Sequence, residues 1–328
     1  MRAVVITAPG HPDVLQLRDV VRPQPGAREI LVRVHATAVN RADLMQRLGH
    51  YPAPPGWPQD IPGLEYAGVI EECGADVRRW RGGERVLGIV GGGSYAEYVV
   101  VHEAEAMLVP DVLSLEAAAA IPEAFLTAYD ALRVRLQVPL SSENNATVLI
   151  HAVASGVGTA ALQLAHQMGL RVFGTARSAW KLERLADVAP ATLIDVSTED
   201  FVEIVRAQTG GANYIVDLVG GSYLEKNIAV AAQMARIVVV GLVAGARATL
   251  DMRALLNKRL TLVGTVLRAR SLDEKIEAAQ LFEREAMPWL AHQQIRPVID
   301  RVLPMSEAAE AHRLAEANEI VGKVVLTW

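Results

Sequence analysis

The sequence predicts an α/β protein in which a β-rich, mostly antiparallel domain precedes a doubly wound parallel sheet. Three observations lead to this prediction. The chain has 328 residues, which suits two domains on a prior of roughly 100 to 200 residues each. About the first 110 residues contain short β-type segments separated by Gly and Pro. From about residue 119, short apolar strands alternate with helical segments, as in a parallel sheet covered on both faces.

Strands in the first part of the chain are predicted from apolar and β-branched runs between turn residues. They are Val4–Ile6, Ile30–Val34, Tyr66–Ile70, Arg85–Val90 and Tyr95–Val101. Residues 42–48 are expected to form a short helix. The proline-rich segment from His50 to Pro58 cannot be helical because proline lacks a backbone N–H, so it is predicted to be an ordered surface loop that lines a cleft.

Six parallel strands are predicted for the second part of the chain, each of them short and apolar. They are Val148–Ala152, Arg171–Thr175, Thr192–Asp195, Tyr214–Val219, Arg236–Val240 and Leu260–Gly264. Helices are expected from Gly156 and over Trp180–Val188. The segment Arg259–Thr265 is expected to be the outermost strand, and an apolar edge strand needs a partner or a cover.

The C-terminal tail is predicted to be a long charged helix, Leu272–Leu290, then a helix around Ser306–Glu316 and a closing strand, Lys323–Thr327. Because this tail is too small to fold alone, it is expected to return to the first domain. The domains are therefore predicted as residues 1–118 with 266–328, and residues 119–265.

Composition excludes several classes of protein. Lys and Arg total 32 against 37 Asp and Glu, so a net charge of −5 provides no overall basic field for nucleic acid or anionic lipid. No apolar stretch approaches the roughly 18 residues of a membrane span. The segment MRAVVITAPG lacks the apolar region of a secretory signal, so a cytoplasmic location is expected. A single cysteine, Cys73, excludes an intramolecular disulfide and any zinc site with several thiolates.

The strongest local motif runs from a predicted buried strand through small residues into a helix. Small residues let the backbone approach a pyrophosphate, and N–H groups at a helix start stabilise its charge. Val153 and Ser155 stand at the first two glycine positions of the usual G-x-G-x-x-G fingerprint, and Gly158 matches the third. A tight turn in an ordinary α/β domain is the alternative, but the order of strands favours a dinucleotide site. Its candidate contacts are Ser155, Gly156, Val157 and Gly158.

The end of the second parallel strand indicates which dinucleotide binds. An NAD enzyme usually carries Asp or Glu there, about 20 residues past the loop. Here Arg177, Ser178 and Lys181 offer two cations and a hydroxyl, and no acid is present to repel a 2′-phosphate. We therefore predict NADPH as the cofactor. The alternative is that Arg177 and Lys181 only solvate a helix start.

Six segments carry a family resemblance over essentially the whole chain. They are Asn40–Arg47 with Tyr51, Gly63–Gly68, Ala119–Ala124, Ser155–Gly158, Gly220–Tyr223 and Glu319–Leu326. With them the chain resembles the zeta-crystallin-like NADPH:quinone oxidoreductases, a zinc-free branch of the medium-chain dehydrogenase/reductase superfamily. The first and fifth segments are most similar to the tumour-suppressor-inducible quinone oxidoreductases of animals. The resemblance implies a six-stranded Rossmann domain and a GroES-like catalytic domain.

The resemblance also implies chemistry without a metal. Zinc-dependent relatives place a cysteine ligand where Asn40 stands and Gly-His-Glu where Gly63-Leu64-Glu65 stands, and they carry a four-cysteine lobe near residues 90–110. None of these thiolates is present, and the eight histidines include no i, i+4 pair. Without a Lewis acid, the acceptor must take hydride readily, as a quinone or a conjugated enone does.

By resemblance, Asn40 and Tyr51 face the substrate, and Glu123 and Thr127 lie near the nicotinamide. Tyr51 is a candidate proton donor to a developing oxyanion, with a loop-packing aromatic as the alternative. The further expected cofactor contacts are Gly241, Leu242, Leu267, Arg268, Asn318 and Lys323, the last two on the pyrophosphate side. A homodimer joined at the outermost strand is also implied.

Two departures from the family pattern bear on these expectations. Val196 stands where relatives usually place a tyrosine against the 2′-phosphate, which weakens the preference for NADPH. Residues 141–145 replace the usual Gly-Asp turn and are interpreted as surface variation.

The leading hypothesis is a zinc-independent NADPH:quinone reductase that acts on a small molecule. An enone or 2-alkenal reductase is not separated from it by the sequence. A third reading is an NADPH-binding sensor, or an RNA-contacting protein without turnover. RNA binding would require a local basic patch, such as one built from Arg133, Arg135, Arg268 and Arg270.

Overall fold

A computed structural model describes residues 1–141 and 146–328. The chain divides into two compact units: residues 1–126 with 267–328, called unit one, and residues 127–266, called unit two. Four of the five residues interpreted above as surface variation, 142–145, lie outside the described residues. No helix in the described part of the chain is long and apolar enough to cross a membrane.

The first part of the chain is dominated by strands. It contains β1 (Arg2–Ile6), β2 (Leu15–Asp19), β3 (Glu29–Ala38), α1 (Arg41–Arg47), β4 (Glu65–Cys73), β5 (Arg85–Ile89), β6 (Tyr98–His102), β7 (Met107–Leu108), α2 (Leu115–Ala119) and α3 (Pro122–Tyr129). A π-helical turn, Asp130–Arg135, follows α3. β2 and β7 were not predicted, because β2 is exposed along most of its length and β7 has only two residues.

The middle part alternates strands with helices. It contains β8 (Thr147–Ile150), α4 (Gly156–Gln167), β9 (Arg171–Ala176), α5 (Ala179–Glu183), β10 (Thr192–Asp195), α6 (Phe201–Thr209), β11 (Ala212–Asp217), α7 (Tyr223–Val230), β12 (Ala231–Val239), α8 (Met252–Lys258) and β13 (Thr261–Gly264). The predicted helix over Trp180–Val188 is thus confined to the five residues of α5.

The last part contains α9 (Leu272–Glu285), α10 (Met287–Ala291), β14 (Ile299–Pro304), α11 (Ala308–Ala317) and β15 (Lys323–Thr327). The single helix predicted over Leu272–Leu290 is wrong, since α9 and α10 separate at Ala286. Pro288 explains the break: it has no N–H to continue the helical ladder and sits instead in the first turn of α10, where no such donor is needed.

Unit one is built on a mostly antiparallel sheet in the order β14-β15-β3-β4-β5-β7, with β6 also paired to β3. β15 lies antiparallel to β3, with Val325 opposite Ala38. The expected return of the C-terminal tail to the first part of the chain is therefore confirmed.

Unit two is a six-stranded sheet in the order β10-β9-β8-β11-β12-β13, and all five of its strand pairings are parallel. The predicted doubly wound sheet is confirmed, as is β13 at its edge. Leu149, Phe173, Ile215 and Ile237 come from four neighbouring strands and are buried in one apolar core. This packing aligns the carboxyl ends of the strands along one edge, where such sheets bind ligands.

Candidate active site

The turn between β8 and α4 in unit two has the backbone geometry of an anion cradle. Ser155 precedes α4, and its Oγ accepts a hydrogen bond from the Gly158 N–H at 3.1 Å. A Cβ at Gly158 would lie 2.3 Å from the carbonyl oxygen of Ala152, so only glycine fits. Gly156 and Val157 form the helix start, where backbone N–H groups and the helix dipole favour an anion. The turn therefore fits a dinucleotide pyrophosphate.

The residues expected at the ribose follow β9 directly. Arg177 is exposed, Ser178 precedes α5, and the Lys181 ammonium lies 5.4 Å from the ring centroid of Trp180. Val196, at the position that weakens the predicted NADPH preference, packs against the apolar core of unit two. Two cations and a hydroxyl are thus grouped at one strand end, as the sequence indicates.

A carboxylate that sequence reasoning missed lies beside these cations. β10 pairs with β9 in parallel, which places Asp195 opposite Ala176, the residue before Arg177. The carboxylate accepts hydrogen bonds from the hydroxyl of Ser197 at 2.6 Å and from its N–H at 2.9 Å, and these hold the pKa of Asp195 below its ordinary value. The second predicted strand ends without an acid, but its parallel neighbour supplies one. A carboxylate at this strand end would repel the 2′-phosphate of a nucleotide bound there.

Gly241 and Leu242 follow β12 at the same edge of the sheet. A Cβ at Gly241 would lie 2.4 Å from the carbonyl oxygen of Leu218, so the loop after β12 packs closely on the turn after β11. Leu242 is exposed. Thr127, the remaining predicted contact in unit two, is buried within α3.

Unit one contains a polar group that we call the lysine cluster: the buried Asp43, Glu65 and Lys323, with the half-buried Asn40. The Lys323 ammonium is 2.7 Å from Glu65 Oε1, and it donates to Asn40 Oδ1 at 2.5 Å and to the carbonyl oxygen of Val39 at 3.0 Å. Asp43 accepts from the N–H groups of Asn40 and Gly63 at 2.8 and 2.9 Å. The ends of β3, α1, β4 and β15 bring these residues together, although they span most of the sequence.

The Asn40 amide is fully engaged inside this cluster. Its Nδ2 donates to Glu65 Oε1 at 2.8 Å and to the carbonyl oxygen of Ala38 at 3.1 Å, while its Oδ1 accepts from Lys323. The orientation of the amide follows from these partners, since only its oxygen can face an ammonium. Asn40 therefore orients the cluster, and it can donate to a substrate only by giving up an internal bond.

The lysine cluster does not fit a zinc ion. Asn40 and Leu64 stand at the positions where the resemblance implies zinc ligands in other relatives; the first offers an engaged amide and the second a buried aliphatic side chain. The Lys323 ammonium already supplies the positive charge beside Glu65. Zinc prefers thiolate, imidazole and carboxylate donors, and a neighbouring ammonium repels it. Across residues 1–141 and 146–328, no group of three or more His, Cys, Asp or Glu side chains is arranged to hold a metal.

The carboxyl groups of Glu123 and Asp43 have raised pKa values. Burial, followed by the nearby Glu65 carboxylate, raises the pKa of Glu123 to about 8, so this carboxyl is neutral at pH 7. Burial also raises the pKa of Asp43 to about 6, although hydrogen bonds from Asn40 and Gly63 oppose the shift. The Glu123 N–H donates to Glu65 Oε2 at 2.8 Å, which links α3 to the lysine cluster.

Arg268 fixes the proline-rich loop of unit one. Its guanidinium donates to the carbonyl oxygens of Gly91 at 2.8 Å and Tyr51 at 3.1 Å and to Gln46 Oε1 at 2.5 Å, and it lies 4.9 Å from the Tyr51 ring centroid. Burial raises the pKa of the half-buried Tyr51 phenol, which therefore keeps its proton at neutral pH. Residues 50–58 form no helix or strand, as predicted, and this loop carries the Tyr51 phenol.

The predicted contacts are thus divided between the units. Unit one holds Asn40, Tyr51, Glu123, Leu267, Arg268, Asn318 and Lys323, and unit two holds the others. Electrostatic interactions connect Glu123, Lys323 and Arg268 within unit one. Asn318 is exposed in a left-handed conformation at the end of α11 and accepts a hydrogen bond from Arg41 at 3.0 Å.

Sequence comparison finds two matching families. Residues 26–111 match the family described as Alcohol dehydrogenase GroES-like domain, and residues 156–284 match the family described as Zinc-binding dehydrogenase. The synaptic vesicle membrane protein VAT-1 homolog of Rattus norvegicus is 33% identical over 99% of this chain and 84% of its own length. The quinone oxidoreductase of Homo sapiens is 30% identical over 99% of this chain and 97% of its own length.

Two solved structures are similar to this chain over its full length. An NAD-dependent alcohol dehydrogenase has a TM-score of 0.87 at 33% identity and is covered over 100% of both chains. Escherichia coli quinone oxidoreductase complexed with NADPH has a TM-score of 0.87 at 26% identity, again over 100% of both chains. These two similar structures are thus associated with different nucleotides.

Proposed function

The chain belongs to the zeta-crystallin-like quinone oxidoreductases of the medium-chain dehydrogenase/reductase superfamily, and on that premise we propose that it reduces a quinone with NADPH and without a metal ion. It is an oxidoreductase of this superfamily; the quinone, the NADPH and the absence of zinc are the proposed refinements.

The lysine cluster is the observation that carries the proposal. A protein that polarises a carbonyl with zinc needs soft donors around an open coordination position, and here an ammonium, an amide and an aliphatic side chain occupy that region. The acceptor must therefore be electrophilic by itself, and quinones take hydride readily. A conjugated enone shares this property and is the second candidate within the same class.

Residues of unit two are proposed to hold the nucleotide. Ser155 to Gly158 cradle the pyrophosphate, Arg177, Ser178 and Lys181 face the ribose phosphate, and Gly241 and Leu242 border the site. When bound, NADPH supplies the hydride. The similar E. coli quinone oxidoreductase, which was solved with NADPH, supports this nucleotide, whereas the NAD-dependent relative and Asp195 oppose it.

Residues of unit one are proposed to manage the proton that accompanies the hydride. The Tyr51 phenol and the neutral Glu123 carboxyl are both protonated at pH 7 and both interact with Arg268. Asn40 acts as a positioning residue. Of the two expected pyrophosphate-side contacts, Asn318 is exposed, whereas Lys323 would first have to release an internal acceptor. A cytoplasmic homodimer joined along β13 belongs to the same proposal.

The first experiment is fluorescence titration with NADPH and NADH, followed in the same cuvette by a small para-quinone. The expected result is tight NADPH binding and quinone-dependent NADPH oxidation. Tight binding without turnover of either quinones or enones would favour the NADPH-sensor hypothesis. If neither nucleotide binds, the proposal fails.

Tyr51→Phe tests the proton donor. We expect it to lower kcat/KM for the quinone about tenfold or more, because a positioned acid contributes at least that much. Tyr98→Phe is the matched control, since Tyr98 also lies under an arginine, with Arg22 4.2 Å from its ring centroid. Equal kcat/KM values for the two variants would remove Tyr51 from the reaction.

A further inference from the structure

A row of four buried polar residues crosses the carboxyl edge of the sheet in unit two. They are Thr175, His151, Asn227 and Asp217, from β9, the end of β8, α7 and β11; none is more than 1% exposed. Thr175 Oγ1 is 2.9 Å from His151 Nδ1, His151 Nε2 is 2.7 Å from Asn227 Oδ1, and Asn227 Nδ2 is 2.9 Å from Asp217 Oδ2. We call this set the buried row.

Hydrogen bonding fixes one direction along the buried row. An Asp217 carboxylate can only accept, so the Asn227 amide nitrogen faces it and the amide oxygen faces His151. His151 must then donate from Nε2 and accept the Thr175 hydroxyl proton at Nδ1. Burial lowers the pKa of His151, which keeps the ring neutral and suited to this pattern. Every donor in the row points towards Asp217.

Asp217 connects the row to two loops. Its Oδ1 accepts from the N–H groups of Val219 and Gly220, both at 2.8 Å, in the turn after β11. Its backbone oxygen accepts from Val240 at 2.8 Å and Gly241 at 3.3 Å, in the loop after β12. The two loops also contact each other, since the Ala244 N–H donates to the carbonyl oxygen of Val219 at 2.8 Å. One carboxylate residue thus organises both.

His151 connects the other end of the row to the phosphate turn. It directly follows β8, and its N–H donates to the carbonyl oxygen of Val216 at 3.0 Å. Two residues later, the Val153 N–H donates to the carbonyl oxygen of Thr175 at 2.9 Å. Thr175 itself lies two positions before Arg177. The buried row is therefore connected to all three groups of proposed nucleotide contacts at this edge of the sheet. They lie around Ser155, Arg177 and Gly241.

We infer that the buried row is a positioning device that holds the turn after β11 and the loop after β12 in place and thereby sets the affinity for the nucleotide. The second half of this inference rests on the proposed function; the first half does not. None of the four side chains is exposed, so they act through the loops they hold.

Swapping the two side chains that form the Asn227–Asp217 hydrogen bond tests the inference. In Asp217→Asn, the new amide oxygen can face the Val219 and Gly220 N–H groups only if its nitrogen faces Asn227 Nδ2, where a donor meets a donor. Asn227 avoids this contact only by flipping its amide, which forces the other His151 tautomer and leaves the Thr175 hydroxyl proton without an acceptor in the row. In the double variant Asp217→Asn with Asn227→Asp, the new amide donates to the new carboxylate, which also accepts from His151. The double variant therefore restores the full pattern.

The matched control is Gln163→Leu, which removes a different buried amide of unit two, one that donates to the carbonyl oxygen of Thr159 within α4. Two quantities are measured for each variant: hydrogen exchange of the Val219 and Gly220 amides, and the Kd for NADPH and NADH. Asn227→Ser, a milder change, gives the same readouts if Asp217→Asn does not fold.

The expected result is exchange at least about tenfold faster and Kd about tenfold higher in Asp217→Asn, with the double variant within about threefold of the wild type. Gln163→Leu lowers stability and leaves both quantities unchanged. The inference would be overturned if both Asp217→Asn and Asn227→Ser kept the wild-type exchange rates and Kd. It would also be overturned if the double variant folded but its exchange rates and Kd were no closer to the wild type than those of Asp217→Asn. If the wild type binds neither nucleotide, the proposed function fails, and the exchange rates alone decide whether the row holds the loops.

Discussion

Removing the Lys323 ammonium should destabilise unit one strongly, because it strands a buried carboxylate. Lys323 is 4% exposed, Glu65 is 0% exposed, and their charged atoms are 2.7 Å apart. Breaking such a pair from one side costs about 3–5 kcal/mol, since the remaining charge stays buried without its partner. In Lys323→Met, Asn40 Oδ1 and the carbonyl oxygen of Val39 also lose their donor, and Asp43 and Glu123 lose a stabilising positive charge.

The partner substitution should recover most of this loss. Glu65→Gln removes the stranded charge. Its single oxygen can accept from the Glu123 N–H, which bonds to Glu65 Oε2, and its nitrogen can donate to the Asn40 amide oxygen once that amide, no longer held by Lys323, turns over. The double variant should therefore lie within about 1–2 kcal/mol of the wild type, a coupling that additive sites do not show. Arg78→Met is the control, because Arg78 pairs with Asp76 at 4.0 Å on the surface of the same unit and should change stability by less than about 0.5 kcal/mol.

Urea unfolding, monitored by tryptophan fluorescence, gives the free energy of unfolding of each variant. Four of the five tryptophans, residues 57, 80, 289 and 328, lie in unit one, so the signal reports mainly on that unit. If Lys323→Met lowered the free energy of unfolding by less than about 1 kcal/mol, the ion pair would not stabilise the buried Glu65 carboxylate. A double variant no more stable than Lys323→Met would lead to the same conclusion.

Three further outcomes are expected. Because the pKa of Glu123 is raised to about 8, its carboxyl donates below that pH, and kcat/KM for the quinone should fall as pH rises through 8. The folded state binds more protons than the unfolded state between the ordinary value of 4.5 and about 8, so stability should also fall across that window. In Glu123→Gln the fall in kcat/KM should be absent and the fall in stability should be smaller, because Asp43, with a pKa of about 6, contributes to the same window; an unchanged pH dependence would assign both falls to other groups. Asp195→Ser should lower the Kd for NADPH about three- to tenfold and Arg177→Ala should raise it by a similar factor, with NADH little affected in titration; equal shifts for both nucleotides would refute a 2′-phosphate contact. Leu262→Lys, on a 40% exposed side chain of β13, should turn a dimer into a monomer in sedimentation velocity, and a wild-type monomer at micromolar concentration would remove the dimer.

The sequence was sufficient for the parallel sheet because its strands are apolar, alternate with helices and end in distinct turns. Thr192–Asp195 in this sheet has the predicted bounds, and so does Lys323–Thr327 in the sheet of unit one. The failures have physical causes. β2 presents four exposed residues out of five and so lacks an apolar face. The long charged helix predicted over Leu272–Leu290 ends before Pro288, because proline cannot continue the helical hydrogen bonding.

The phosphate turn could be predicted because its chemistry is local: Ser155 and Gly158 are three residues apart. The lysine cluster could not, since its members come from residues 40 to 323 and meet only when β15 pairs with β3. Asp195 escaped prediction for a related reason, as its relation to Arg177 depends on strand order and register. Sequence patterns thus indicate which residue types are present, while non-local pairing decides which charges meet.

The balance of charges in unit one explains why the Glu123 carboxyl is protonated. Asp43, Glu65 and Glu123 would bring three negative charges against the two cations Lys323 and Arg268 if all were ionised. An unbalanced buried charge is costly, and holding one proton on Glu123 removes it. Reduction of a quinone to a hydroquinone takes up one hydride and one proton, so a proton retained on Glu123 for electrostatic reasons is also available to the proposed reaction. Delivering it would leave the group with one excess negative charge, which favours rapid reprotonation from solvent and resets the site for the next turnover.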